Sequence, residues 1–137
     1  MIDKSNEVFD RVMTYIMSEM PDLTEDNFGS DDSDGPSDYF PFISIVQNGS
    51  LTSNDNQDDR LQENKAILMF TVEVYSNKME GKRSECRKIS SLAGDCMMQM
   101  NFRRESSGFR TNLTNNSIAR HVSTYSVLAD NEHFYRR

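Results

Sequence analysis

A chain of 137 residues with a formal net charge of −7 and a hydrophobic share of 36% is sized for one domain around one modest core. Its acidity excludes strong non-specific DNA binding, which rests on phosphate neutralisation by Lys and Arg. No N-terminal apolar run resembles a signal peptide and no stretch approaches about 18 apolar residues, so a soluble protein, intracellular at synthesis and with no membrane partner, is expected.

The first helix is expected from about Ser5 to Met20. Val8, Phe9, Val12, Met13, Ile16, Met17 and Met20 form its apolar stripe, and Pro21 stops it. Residues 22–38 carry seven Asp or Glu and read as a solvated acidic loop. Tyr39 to Gln47 reads as a strand, with Pro41 near its start where a missing donor is tolerated, and Asn48-Gly49 marks a turn. A polar loop over 49–65 follows, nearly devoid of apolar residues. So long a loop between two strands is uncommon in a compact domain.

The stretch from Ala66 to Met100 is the best-formed part of the chain. Leu68, Phe70, Val72 and Val74 alternate on one face of a strand over 66–75. The pattern breaks at Ser76–Gly81 and resumes with helical spacing at Cys86, Ile89, Leu92, Ala93, Cys96, Met97 and Met100, which predicts a helix over about 82–101 lying across the preceding sheet. Two last strands are expected, Phe102–Thr111 and Ser117–Ala129, joined by a turn at Asn112–Asn116. The order α-β-β-α-β-β gives an α+β fold: an antiparallel or mixed sheet of about four strands with two helices packed on one face, all one domain.

Tests for chemistry fail one after another. Placing Gly35 at the sixth position of an EF-hand loop puts Pro41 where a bidentate Glu is required. Cys86 and Cys96 are ten residues apart on one helix. That is ~15 Å along the axis, against a limit of about 7 Å between bridged Cα atoms, so two small buried residues are expected rather than a disulfide. Paired metal-ligand spacing is absent. His121 lies mid-strand and reads as a sheet-face residue, His133 lies near the C-terminus, and neither accompanies a nucleophile motif. The six glycines never cluster into a phosphate loop. The expectation is a protein that is not an enzyme and carries no cofactor and no metal.

Charge divides along the chain. Up to Lys65 there are 15 acidic and 4 basic residues; from Ala66 there are 7 acidic and 11 basic. Copies of such a chain can associate head to tail. The pairs Lys82-Arg83, Arg87-Lys88 and Arg103-Arg104 read either as the solvated flank of the second helix or as partners for acidic loops of a neighbouring subunit. With Asp55, Asp58, Asp59 and Arg60 from the polar loop and Arg136 and Arg137 at the end, they make a candidate subunit interface.

The segment FTVEVYSNKMEGKRSECRKI, residues 70–89, resembles the "FEVNVYSN…GKKSECK" stretch of small tail-terminator (neck, or head–tail joining) proteins of tailed phages and prophages of Gram-positive hosts. YFPFISIVQ looks like that family's first strand, and residues 101–137 like its final hairpin. There Arg120 and Tyr125 match the "IYR-TARY" run and Tyr135-Arg136-Arg137 the "YRR" ending. The resemblance covers roughly residues 39–137, with the acidic stretch at 22–38 and the Met-rich second helix as departures. It implies a virion protein of the tail or neck, made in the host cytoplasm and forming a hexameric ring. The ring would cap the tail tube protein, end its polymerisation and dock to the connector or stopper protein, while DNA passes through the channel without specific binding. The runner-up readings are a head-completion stopper or connector ring protein, and a small non-catalytic regulatory binding module.

Overall fold

The computed structural model describes residues 3–29, 40–52, 66–110, 118–130 and 133–135, with backbone alone for 50–52. Helix α1 spans Ser5–Glu19 and buries Val8, Val12 and Ile16. Phe9, Met13, Met17 and Met20 pack at the margin of the same core. The Asp3 carboxylate accepts the Ser5 backbone N–H at 2.9 Å and the Ser5 hydroxyl at 2.6 Å. These bonds hold its pKa below the ordinary carboxylate value.

The polar stretch after Pro21 has more structure than a solvated loop. A single 3₁₀ turn over Glu25–Asn27 is closed by Asn27, whose Oδ1 accepts the Thr24 backbone N–H at 3.0 Å. A two-residue strand, β1 (Phe28–Gly29), then runs parallel to β2 (Phe42–Thr52), with Phe28 opposite Ile43. Residues 30–39 and 53–65 lie outside the described part.

The remaining strands are β3 (Ala66–Ser76), β4 (Arg103–Arg110), β5 (Ala119–Ala129) and the short β6 (Phe134–Tyr135). They form one mixed sheet in the order β1-β2-β3-β5-β4, and β6 pairs with the far end of β5. The expected fold class therefore holds, with two small strands beyond the expected four. Asn48-Gly49 is not a turn. The β2–β3 ladder slips one residue between Gln47 and Gly49, a bulge, and pairing continues to Thr52 opposite Ala66.

Helix α2 (Lys82–Gln99) opens after Gly81, whose φ of +78° is a conformation that glycine adopts without strain. It ends in a Schellman motif rather than continuing to 101. Asn101 sits at φ +72°, its N–H donates to the Met98 carbonyl, and the Phe102 N–H donates to the Met97 carbonyl, both at 3.0 Å.

Both helices cover the same face of the sheet. The core between them holds Ile43, Ile45, Leu68, Phe70, Val72, Val74, Ile89, Ala93, Met97 and Val127. Phe70 meets Phe102 edge-on at 5.4 Å, and Phe134 closes on Phe102 at 5.5 Å. Cys86 and Cys96 are free and buried. The Cys86 Sγ lies 3.5 Å from the Val74 carbonyl, where α2 crosses β3, and burial pushes its thiol up to about 11.

Candidate functional site

The inward face of β5 alternates Ala119, His121, Ser123, Tyr125 and Val127. An ordinary strand would place apolar residues at most of these positions. Here a histidine, a serine and a tyrosine lie under α2, and β4 extends the same face with Phe109 opposite His121, Ser107 opposite Ser123 and Arg104 opposite Tyr125. Helix α2 crosses β3 and β5 and touches β4 more sparsely. An open cleft of about 230 Å³ remains between them, lined by Arg87, Ser90, Ser91, Gly94, Asp95 and Met98 on α2, Arg104 and Ser107 on β4, and His121 and Tyr125 on β5.

The sequence spaces α2 to fit this cleft. Arg87, Ser91, Gly94 and Met98 recur at three- and four-residue intervals and so share one flank of the helix. Gly94 admits the Tyr125 hydroxyl, which would lie 3.1 Å from a Cβ at that position. Ser90 and Ser123 hydroxyls meet at 3.2 Å across the floor. The Arg83 and Arg87 guanidinium carbons stand 4.4 and 5.1 Å from the Phe109 ring centroid, and His121 meets Phe109 edge-on at 4.9 Å. His121 is held neutral: burial first, then the charges of Arg87, Arg104 and Arg110, lower its pKa from the usual value. Its Nε2 is 3.5 Å from the Ser107 hydroxyl, and its buried Nδ1 has no hydrogen-bond partner among the described residues.

Of the sequence-predicted interface residues, this region gathers Arg83, Arg87 and Arg104, all exposed. Lys88 is exposed on α2 and Lys82 half-buried at its start. Arg103 points to the opposite face of β4, with its Nε 3.8 Å from Glu105. Asp55, Asp58, Asp59, Arg60, Arg136 and Arg137 lie outside the described residues. Arg103 and Arg104 face opposite ways because they are neighbours on a strand. Sequence reasoning missed Ser90, Asp95, Ser107 and Tyr125 as cleft residues. The available signal was three polar side chains at inward-facing positions of a strand.

A second, shallower groove of about 470 Å³ runs between α1 and α2 past Asp10, Arg11, Tyr15 and Cys96. The other face of the sheet carries a polar network in which Glu73 joins Tyr75 and Arg120. No three His, Cys, Asp or Glu side chains among the described residues are placed to share a metal ion. No helix among them is long and apolar enough to cross a membrane. Neither the protein-family models nor the curated proteins contain a match to this chain.

Proposed function

We propose that the protein is a non-catalytic ring subunit that caps a phage tail tube, ends tube polymerisation and joins the tail to the head connector. The reading starts from the resemblance carried by residues 70–89, Arg120, Tyr125 and the Tyr135-Arg136-Arg137 ending. A head-completion stopper would use the same kind of ring and differ in where it sits relative to the tube.

The observation that carries the ring is the unlikeness of the two sheet edges. One edge is β4, whose outward side has no strand partner among the described residues and which bears Arg103 and Arg110. The other is β2, paired with β1 only at Ile43 and Ser44, and flanked in sequence by Asp31, Asp32, Asp34 and Asp38 on one side and Asp55, Asp58 and Asp59 on the other. Unlike edges of opposite charge favour a head-to-tail contact, and a repeated head-to-tail contact closes into a ring when its rotation permits. An acidic lumen would repel DNA phosphates and let the duplex slide.

The solution mass by light scattering, at low and moderate salt and with and without purified tail tubes, tests this. A mass near about six chains, free or only on tubes, is expected. A monomer or dimer indifferent to salt and to tubes would instead identify a regulatory binding module.

A further inference from the structure

The cleft between α2 and β4 carries features that ring closure through strand edges does not use. Each wall presents a guanidinium, Arg87 from α2 and Arg104 from β4, and neither forms an ion pair among the described residues. The floor is polar and yet buried: Ser90 is 8% exposed, His121 7% and Tyr125 1%. Buried polar groups are normally satisfied, and the His121 Nδ1 has no partner among the described residues.

We infer that this cleft binds a carboxylate group, gripped between Arg87 and Arg104 above the Ser90, Ser107 and His121 floor. Charge selects an anion: Asp95 offsets one of the two lining arginines, and Arg110 adds its charge nearby. Planar guanidinium groups also suit the two oxygens of a carboxylate. Size narrows the occupant further. At about 230 Å³ the cleft is smaller than sites that enclose a whole drug-sized ligand, so it takes one group projecting from a larger molecule or a very small acid.

Binding couples to protonation. The groups acting on His121 are Arg87 from α2 and Arg104 and Arg110 from β4, with the Ser107 hydroxyl and the Phe109 ring against it and Asp95 across the cleft. A bound carboxylate offsets the arginine charges that keep the imidazole neutral, so the complex takes up a proton more readily than the empty cleft. Affinity therefore rises as pH falls below about 6.5.

The test follows the His121 ring resonances by NMR while the full chain is titrated at pH about 6.5 with succinate, inorganic phosphate or a synthetic peptide of residues 30–39. Saturable movement with succinate or the peptide is expected, weakened about tenfold or more in Arg87→Gln and Arg104→Gln. Both residues are exposed, and unchanged circular dichroism would show the variants folded. Tighter binding of the peptide would make the source an acidic segment of another copy; succinate alone would make it a small acid. His121→Gln should flatten the pH profile. No movement with either carboxylate, movement indifferent to both arginine variants, or phosphate binding about tenfold tighter than succinate at pH about 7.5 would each overturn the assignment. A monomer that binds carboxylate in this cleft would sink the ring and leave this site standing.

Discussion

Arg120 reaches diagonally from β5 to β3 and donates from Nη2 to Glu73 Oε1 at 2.7 Å, although its register partner is Tyr75. The Tyr75 hydroxyl donates to the other oxygen, Oε2, at 2.6 Å. One carboxylate thus ties the two central strands together on the face away from the helices. Glu73→Ala leaves a half-buried guanidinium and a phenol without their acceptor, and should cost about 1–3 kcal/mol of unfolding free energy in denaturant titrations. In the Arg120→Ala background the same change should cost measurably less.

Alkali should destabilise the protein through two buried acids, Cys86 and Tyr75. Burial pushes Cys86 up to about 11 from an ordinary 9.0, and burial followed by the Glu73 bond and charge pushes Tyr75 up to about 12 from 10.0. Both groups are neutral acids that the fold favours over their anions. Their contribution is complete below the unfolded values and is lost as pH rises through the folded ones. Melting temperature should be level to about pH 9 and fall between about 9 and 12, with a later onset in Cys86→Ala.

Gly81 and Asn101 bracket α2 with the same left-handed backbone, at φ +78° and +72°. Gly81→Ala forces a Cβ into that region and should cost about 1 kcal/mol. Asn101→Gly should be near neutral for the backbone, but it removes the Nδ2 bond to the Phe134 carbonyl at 3.0 Å. Its measured penalty should therefore stay within about 0.5–1.5 kcal/mol and appear as faster amide exchange at β6.

Gly94 and Tyr125 are a matched pair. A methyl at 94 would meet the tyrosine hydroxyl at 3.1 Å, and Tyr125 is fully buried. Gly94→Ala should cost about 1 kcal/mol despite its better helix propensity. In a Tyr125→Phe background the penalty should vanish. A penalty of equal size in both backgrounds would show that the hydroxyl is not what the methyl meets.

Reversing charge on the β4 edge should act on assembly and leave the fold alone. Arg103→Glu with Arg110→Glu changes two exposed residues. If the unlike edges close a ring, the double variant should lower the mass seen by light scattering while its melting temperature stays within about 2 °C of the parent.

Periodicity made the large elements legible, because each has one continuous apolar face. Val8, Val12 and Ile16 repeat at helical spacing, and Leu68, Phe70, Val72 and Val74 alternate without a break. The errors fall where local chemistry competes with tertiary pairing. Asn48-Gly49 has the composition of a turn, yet pairing with Met69 and the residues beyond it carries β2 through as a bulge. Phe28-Gly29 is too short to show any period, and is a strand only because β2 lies beside it. The cleft was half legible. Its arginines were visible as charge, but its floor required knowing that His121 and Tyr125 face inward under α2.

The β3–β5 ladder has a consequence for synthesis. β3 is the middle of the sheet, and its second partner begins 43 residues after β3 ends, at Ala119 opposite Ser76. During translation the β2–β3 pair and α2 emerge first, so the edge of β3 that will pair with β5 waits with its backbone groups open. An open apolar strand is a template for pairing between nascent chains. Ribosomes that pause before Ala119 would release this hazard, and steady elongation through β4 and β5 protects the chain by delivering the missing strand in time.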